Sequence, residues 1–253
     1  MMTKHEEEFV SEMKKLNCGG FAARLEDVFS TSHVTDKELL DVLTDKAEQE
    51  VLEQKQKKGL ITLKKAGLLN TYANLDMIEF TPGRNIDRTL IERLSTCFYI
   101  DEAANVLITG AAGTGKTFLA KAFAVKACEE GYRSRICNTR LLLKELATLY
   151  RNNEDDKPYR KKMKYYSNIP LLVLDEWLEE SPSSTEALIL KELVDTRWDR
   201  HSTIVCSQVA MDNWVSIFKN TAHGQAIVGR LKAHRYSIEL TGDDMRMAHT
   251  ERP

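Results

Sequence analysis

The sequence lacks the features that mark membrane-spanning and secreted proteins. Among its 253 residues no apolar run approaches the roughly 20 residues that a membrane-spanning helix needs. Its N-terminus carries the acidic run Glu6–Glu8, where a secretory signal peptide would carry basic residues. We therefore expect a cytoplasmic protein.

Cysteine is scarce, and its spacing shows no pairs. The chain has five cysteines, an odd number, and no CxxC motif. This pattern disfavours both a disulfide framework and a zinc cluster, because each uses paired, closely spaced cysteines. The five, which we interpret as reduced packing residues, are Cys18, Cys97, Cys128, Cys137 and Cys206.

The sequence also has no low-complexity tract, no internal repeat and no large excess of one charge. Apolar residues make up 42% and charged residues 29%, which is typical of a globular protein. A chain of 253 residues is long enough for one main domain and a smaller appendage. A metal-stapled miniature scaffold is therefore excluded.

The formal net charge of −2 does not reflect how charge is distributed along the chain. Residues 131–166 contain ten Lys or Arg against four Asp or Glu. Residues 55–65 contain five lysines and no acidic residue. We therefore expect local positive surfaces on a chain that is slightly negative overall.

The first 75 or so residues have the apolar spacing of helices. Thr35 and Glu38 form a capping-box pattern, and apolar residues then recur at helical spacing up to Gly59. Gly19–Gly20 separates this helix from a shorter amphipathic helix before it.

After Gly59 a basic helix is predicted from Leu60 to about Tyr72. The turn-forming segment Phe80–Gly83 marks the boundary between this helical region and the rest of the chain. We therefore predict a small all-helical N-terminal domain over residues 1–78, which serves oligomerisation or DNA contact, and a second domain over residues 79–253.

In the second domain short apolar runs alternate with amphipathic helices, which is typical of a buried parallel sheet in an α/β fold. The predicted strands are Asn105–Thr109, Ser134–Cys137, Leu171–Asp175, Thr203–Ser207 and Ser237–Leu240. The predicted helices are Lys116–Glu130, Arg140–Tyr150, Ser184–Asp199 and Thr221–His234. The chain ends 13 residues after the last of these strands, so we expect no separate C-terminal lid domain.

Residues 110–117 fit the phosphate-binding pattern GxxxxGK[ST]. They follow the apolar strand Val106–Ile108 and open a helix, which is the context that such a loop requires. Lys116 is expected to reach the β- and γ-phosphates, and the Thr117 hydroxyl to bind Mg²⁺. The predicted nucleotide-binding residues here are Gly110, Ala111, Ala112, Gly113, Thr114, Gly115, Lys116, Thr117 and Phe118.

The apolar run Leu171–Leu174 ends in two carboxylates, at the end of a strand where ligands bind in parallel sheets. Asp175 is suited to the Mg²⁺ shell, so it joins Thr117 as a predicted metal ligand. Glu176 is suited to polarise the water that attacks the γ-phosphate, because hydrolysis needs a positioned base. The expected cofactors are ATP and Mg²⁺.

Ser207 and Gln208 close the fourth predicted strand. A polar side chain here is able to reach the γ-phosphate or the attacking water from between the two earlier motifs. Alternatively, the pair only caps the sheet.

The motifs together resemble the AAA+ ATPases of the DnaC/IstB group. The resemblance is closest to the IstB proteins, which are helper ATPases of insertion-sequence transposition. The matching stretches are residues 105–117, 171–177, 202–208, 227–231 and 237–246. The helical front also resembles the IstB N-terminal domain. The resemblance implies a P-loop AAA+ domain with strand order 5-1-4-3-2, and an oligomer whose ATP sites lie between protomers.

The resemblance also implies roles for single residues. Gln208 corresponds to the sensor-1 residue and joins Lys116 and Glu176 as a catalytic candidate. Arg230 lies in Gly-Arg-Leu, where the family has Asp-Arg-Leu, and corresponds to an arginine finger that acts on the neighbour's ATP. Arg246 matches an arginine at a sensor-2-like position and is a nucleotide-binding candidate, although this chain has Asp244 where serine is usual, an acid that is able to pair with Arg246.

Basic and aromatic residues alternate in Tyr159–Tyr166. Such cations give sequence-independent affinity for DNA phosphates, whereas a solvated helix with tyrosines facing the core explains the pattern equally well. For the lysines of residues 55–65, a DNA contact, a protomer contact and a solvated face remain open. Arg133, Arg135 and Arg140 join the first basic region. The candidate DNA-binding residues are Arg160, Lys161, Lys162, Lys164, Lys55 and Lys58.

Two functions fit these features. The first is an ATP-dependent assembly on duplex DNA that assists the transposase of the same insertion sequence. The second is a helicase loader similar to DnaC. A small-molecule kinase is disfavoured, because the sequence shows neither an acceptor site nor a lid. The expected partners are duplex DNA, the transposase and further copies of this chain.

Overall fold

The computed structural model describes residues 2–16, 18–30, 36–151, 157–219 and 221–245. The chain divides into two compact units, Met1–Gly59 and Leu60–Pro253. The division falls after Gly59 rather than after residue 78, because Ala66 and Leu68 are already buried in the core of the second unit.

The first unit is helical, as predicted, and its core is small. Its elements are α1 (Lys4–Lys15), α2 (Gly19–Ser30) and most of α3 (Asp36–Ala66). Val10, Ala22 and Leu25 form the buried cluster. Gly19 and Gly20 open α2 instead of only separating two helices. The Glu50 carboxylate accepts a hydrogen bond from the Phe21 N–H at 3.0 Å, and a Cβ at Gly20 would lie 2.7 Å from that carboxylate. The negative charge suits the N-terminus of α2.

Helix α3 runs unbroken to Ala66, so the predicted stop at Gly59 and the separate helix from Leu60 are wrong. Gly59 is buried within the helix. The helix ends instead at Gly67, whose φ of +75° reverses the chain, while the Leu68 N–H bonds the Leu63 carbonyl at 2.9 Å. Thr35, the predicted cap, lies outside the described residues.

The second unit is built on a five-stranded sheet in which every described strand pair is parallel. Its order, β2-β3-β4-β1-β5, confirms the order implied by the resemblance. The strands are β1 (Asn105–Gly110), β2 (Ser134–Asn138), β3 (Leu171–Asp175), β4 (Ser202–Ser207) and β5 (Arg235–Leu240). β5 begins two residues earlier than predicted.

Helices cover both faces of this sheet. They are α4 (Arg88–Ser95), α5 (Phe98–Asp101), α6 (Lys116–Glu129), α7 (Thr139–Arg151), α8 (Lys157–Ser167), α9 (Ser184–Arg197), α10 (Trp214–Ile217) and α11 (Ala222–Ala233). Short 3₁₀ helices span Leu75–Met77 and Met211–Asn213. No described helix is both long and apolar enough to cross a membrane.

The apolar runs of the strands follow from this double covering, because alternate residues of a strand enter different cores. In β3, Leu172 and Leu174 join the cluster under α7, α8, α9 and α11. Leu171 and Val173 join the opposite cluster, with α4, α5 and α6. The three central strands, β1, β3 and β4, therefore have their polar residues at their ends, and those at the C-terminal end of the sheet form part of the candidate site.

Candidate nucleotide-binding and catalytic site

The glycine-rich loop joins β1 to α6 at the C-terminal end of the sheet. Gly110 and Gly113 have φ of +149° and +78°, which disfavours any residue with a side chain. A Cβ at Gly110 would collide with the Leu240 carbonyl oxygen, and one at Gly113 with the Asp244 carboxylate. Gly110 is thus required by conformation and by space, because the Leu240 carbonyl is fixed backbone, and Gly113 is required by conformation. Both let the loop turn backbone N–H groups toward a phosphate.

Lys116 and Thr117 open α6 next to the end of β3. The Lys116 side chain is largely buried, and its Nζ donates to the Ala111 carbonyl oxygen at 2.6 Å. The Thr117 hydroxyl donates to Asp175 Oδ1 at 3.1 Å. The two predicted metal ligands are therefore in contact. One carboxylate and one hydroxyl fit Mg²⁺, which takes its remaining ligands from phosphates and water.

Glu176 follows Asp175 in a left-handed conformation with φ of +54°. Its carboxylate accepts a hydrogen bond from Asn138 Nδ2, and Asn138 is paired with Asp175 in the sheet register. The Asn138 side-chain oxygen also accepts from the Leu141 N–H at 3.0 Å. Asn138 was not among the site residues predicted from the sequence. The signal was a polar residue that closes the strand next to the one carrying the carboxylates.

Gln208 lies directly after β4, between the strands that carry the two earlier motifs, as the sequence predicts. It is exposed, and its Nε2 donates to Glu179 Oε1 at 2.7 Å. The preceding Ser207 is buried and donates to the Trp177 carbonyl oxygen at 2.8 Å, so this residue serves to tie β4 to the loop after β3.

A cavity of about 680 Å³ adjoins the loop, which is within the size range of small-molecule sites. Lys116 and Thr117 line its polar part. The apolar part is lined by Tyr72, Met77, Ile78, Ile86 and Phe118. The rings of Tyr72 and Phe118 lie 6.0 Å apart. The segment before β1 therefore offers an apolar wall for a base beside the phosphate loop.

Arg84, which was not predicted from the sequence either, joins this segment to the glycine-rich loop by hydrogen bonds. Its guanidinium donates to the Glu79 carbonyl oxygen at 2.9 Å and to the Thr114 carbonyl oxygen at 3.2 Å. From the other side, the Met245 N–H donates to the Gly113 carbonyl oxygen at 3.0 Å. The next residue, Arg246, lies outside the described residues.

Arg230 is remote from the loop of its own chain. Its Nε lies 2.9 Å from Asp195 Oδ1, and its guanidinium lies over the Trp198 ring. The carbonyl of the next residue, Leu231, accepts from Asn105, the first residue of β1. The glycine-rich loop begins at the other end of β1, about 16 Å away at the rise of a strand.

The predicted DNA-binding residues are all on helices. Met163, Tyr159 and Tyr166 of α8 are buried, so the alternation of basic and aromatic residues is the pattern of an amphipathic helix. Lys162 forms an ion pair with Glu145. The exposed cations are Arg160, Lys161 and Lys164 on α8 and Lys55 and Lys58 on α3.

Comparisons with known proteins identify relatives of this chain. The family model for IstB-like ATP binding proteins matches residues 11–252. The insertion sequence IS1162 ATP-binding protein of Pseudomonas fluorescens is 31% identical over 213 residues, which cover 83% of this chain and 87% of that protein. An insertion sequence IS21-like ATP-binding protein of Bacteroides fragilis is 26% identical over 246 residues, 97% of this chain and 92% of that protein.

Solved structures share the fold at lower identity. The DnaC helicase loader gives a TM-score of 0.54 at 22% identity, covering 67% of this chain and 97% of that one. AMPPCP-bound DnaA from Aquifex aeolicus gives 0.55 at 18% identity, covering 70% and 53%. The matched residues, the α/β fold and the glycine-rich loop agree, and this chain therefore belongs to the IstB-like ATP-binding proteins of the P-loop AAA+ class.

Proposed function

We propose that this protein is a magnesium-dependent ATPase that assembles on duplex DNA and assists the transposase of the same insertion sequence. The strongest support is one arrangement at the C-terminal end of the sheet. Lys116 lies across the glycine-rich loop, Thr117 contacts Asp175, and Glu176 follows immediately. This is the set of groups that phosphoryl transfer to water needs.

In this proposal each side chain has a separate task. Lys116 exchanges the Ala111 carbonyl for the β- and γ-phosphate oxygens of ATP. Thr117 and Asp175 hold Mg²⁺, which when bound neutralises charge on the phosphates. Glu176 accepts a proton from the attacking water. Gln208 contacts the γ-phosphate after leaving Glu179.

We propose further that the active site is completed by a neighbouring protomer. Arg230 is about the length of β1 away from its own loop, so it is unable to reach the nucleotide of its own chain. It is only partly buried, and an approaching protomer is able to recruit it from Asp195. Arg246 remains a candidate for nucleotide contact.

Two observations support the proposed DNA and transposase partners. Relatives matched along most of this chain are described as insertion sequence ATP-binding proteins. The exposed cations of α8, with Lys55 and Lys58 of α3, provide positive charge for DNA phosphates. Helicase loading is the second candidate, and it is favoured by the similarity to the DnaC helicase loader, which concerns the fold alone.

The ATPase part is tested with three variants. Lys116→Ala is expected to lose ATP binding, and Glu176→Gln to bind ATP but release phosphate about 10²–10⁴ times more slowly. Glu180→Gln is the matched control, because this exposed carboxylate pairs with Arg140 outside the site. Glu176→Gln turnover at the wild-type rate would show that Glu176 is not the base.

The partner is tested by capture with purified proteins. Wild-type protein with ATP and a duplex is offered the transposase of its element or the replicative helicase of its host. Retention of the transposase on the DNA supports the transposition role. Retention of the helicase alone would assign the protein to helicase loading instead.

A further inference from the structure

A second cavity of about 320 Å³ opens at the opposite, N-terminal end of the sheet. It lies at the start of β2, where the Arg133 carbonyl oxygen accepts from the Leu171 N–H of β3 at 3.2 Å. We call it the basic groove. Its lining residues are Thr62, Lys65, Arg133, Ser134, Tyr165 and Ile169.

The charge of the basic groove is of one sign. Two of its lining residues are cations, and none is acidic. Among the ion pairs of the described residues, none includes Lys65 or Arg133, although cations elsewhere in this unit, such as Arg140 and Lys162, do pair with carboxylates. Lys65 and Arg133 are both exposed, so their charge is available to an anion from outside.

The hydroxyls of the groove are already used in its construction. Thr62 donates to the Cys128 carbonyl oxygen at 2.8 Å, and the buried Ser134 hydroxyl lies 2.9 Å from Cys128 Sγ. These contacts join the end of α3, the end of α6 and the start of β2 into one wall. The groove is therefore a built feature of the second unit rather than a chance meeting of long side chains.

Further cations surround the groove. Burial lowers the pKa of His201, and the charges of Arg197, Arg200 and Arg133 lower it further, so His201 lies within reach of these three cations. On the other side, Tyr165 belongs to α8 and is 47% exposed. Lys164 precedes it and Arg160 lies one turn earlier, so the cations continue along the exposed face of α8.

We propose that the basic groove binds the phosphodiester backbone of a nucleic-acid strand, with Lys65 and Arg133 on the phosphates and Tyr165 against a sugar or base. This is an inference that rests on the proposed DNA binding. A strand fits better than a compact anion, because the cations form a track from the groove along α8. The groove lies at the end of the sheet opposite the glycine-rich loop, so strand and nucleotide do not compete for it.

The test is a salt titration of duplex affinity in the presence of a non-hydrolysable ATP analogue. Lys65→Ala/Arg133→Ala should reduce the magnitude of the log K against log salt slope by about 1.8, because two phosphate contacts are lost. Lys126→Ala/Lys232→Ala is the matched control. It removes the same charge, but from cations paired with Glu130 and Asp212. The control should keep the wild-type slope.

Replacing Tyr165 gives a second measurement, which is independent of the charge of the groove. On a single-stranded oligonucleotide, whose bases are free to stack, Tyr165→Ala should weaken binding about tenfold, the size of a stacking contact, whereas Tyr165→Phe should bind as the wild type does. ATPase activity without DNA should stay unchanged in all variants, because none of these residues touches the nucleotide site.

The outcomes separate this inference from the proposed function. If the wild type binds DNA with a strong salt dependence but the groove variants match their control, the groove is not a DNA site and α8 alone remains. If polyglutamate, but no nucleic acid, protects Lys65 from acetylation, the groove binds an acidic protein segment and the inference is wrong. If the wild type binds no nucleic acid, both the proposed DNA binding and this inference fail.

Discussion

The charged side chains at the two ends of the parallel sheet differ in whether they have internal hydrogen-bond partners. At the C-terminal end the polar side chains already bond one another: Lys116 bonds the loop backbone, Thr117 bonds Asp175, and Glu176 bonds Asn138. At the N-terminal end Lys65 and Arg133 line a groove without a carboxylate. Ligand binding at the first end must therefore replace internal hydrogen bonds, whereas at the second it only adds partners.

This difference predicts two kinds of recognition. A site that exchanges hydrogen bonds depends on the geometry of the ligand, because an ill-fitting ligand leaves buried donors and acceptors unpaired. A site that only adds partners to exposed cations depends on charge and weakens with salt. Of the two proposed ligands, ATP fits the first description and DNA fits the second.

Arg230 lies near the N-terminal end of its own sheet and would act on ATP at the C-terminal end of the neighbouring protomer's sheet. Its loss has the largest expected effect on the ATPase rate. Arg230→Ala should lower the ATPase rate by roughly 10³-fold or more, as for other arginine fingers, with ATP still bound. Arg235→Ala, an exposed arginine at the same end of the sheet, is the control.

Mixing protomers of two variants tests whether Arg230 acts on the ATP that is bound to the neighbouring protomer. Arg230→Ala protomers mixed in equal amounts with Lys116→Ala protomers should regain activity at about a quarter of the head-to-tail interfaces, those with both residues intact. No recovery, with assembly confirmed by light scattering, would mean that Arg230 does not act in trans.

Arg197 differs from Lys65 and Arg133, because it is a cation at the N-terminal end that does have internal partners. It is buried, and it donates to the carbonyl oxygens of Tyr166 and Ile169 at 2.7 and 2.8 Å and to the Thr203 hydroxyl at 3.0 Å. Arg197→Met should cost about 3–5 kcal/mol of unfolding free energy, because several buried acceptors lose their donor.

Urea denaturation of both variants measures this effect. Arg200→Met, three residues later and exposed, should change the unfolding free energy by less than about 0.5 kcal/mol. Equal losses for Arg197→Met and Arg200→Met would remove the distinction between a structural cation and a ligand-binding one at this end.

The sequence predicts best what is local. The glycine-rich loop and the Leu171–Glu176 motif are strand-and-turn patterns within a few residues, and the structure has the elements there. Gly59 shows where local propensity fails. A glycine inside a helix costs about 1 kcal/mol, and the helix nevertheless continues through Gly59, which is itself buried.

Contacts between distant segments were not predictable in the same way. Asn138 meets Glu176 only because β2 and β3 are neighbours, and Arg84 reaches the loop from 30 residues before Thr114. The basic groove brings Lys65 next to Arg133 from two separate basic stretches. The sequence shows each of these residues, but their pairing depends on strand order and on the path of the chain before β1.

Arg84 tests whether a cation at the C-terminal end acts by bracing rather than by charge. Arg84→Ala should raise the Kd for ATP about tenfold, since it removes a charge-assisted hydrogen bond between the glycine-rich loop and the segment that forms the apolar wall of the cavity. Arg84→Lys should recover only part, because one ammonium does not span two carbonyls. Arg88→Ala, which loses a stack on Phe80 outside the cavity, is the control. Full rescue by lysine would indicate charge alone.

Replacing Asn138 has the smallest expected effect. It is also the most direct test of the internal hydrogen bonds at the C-terminal end of the sheet. Its side chain has two tasks: the oxygen caps α7 through the Leu141 N–H, and the nitrogen binds Glu176. Asn138→Ser retains a capping oxygen but is too short to hold Glu176, so the effect on Glu176 is isolated.

With Asn138 replaced, the Glu176 oxygen is released to the attacking water, and kcat should rise about twofold to fivefold with an unchanged Kd for ATP. Asn138→Ala, which loses the cap as well, should show the same kcat change together with about 1 kcal/mol of lost stability. Phosphate release at saturating ATP and urea denaturation measure the two quantities. A fall in kcat for both variants would mean that Asn138 orients Glu176 for the reaction, so that the internal hydrogen bonds at this end would be part of the working site and not merely bonds that the ligand replaces.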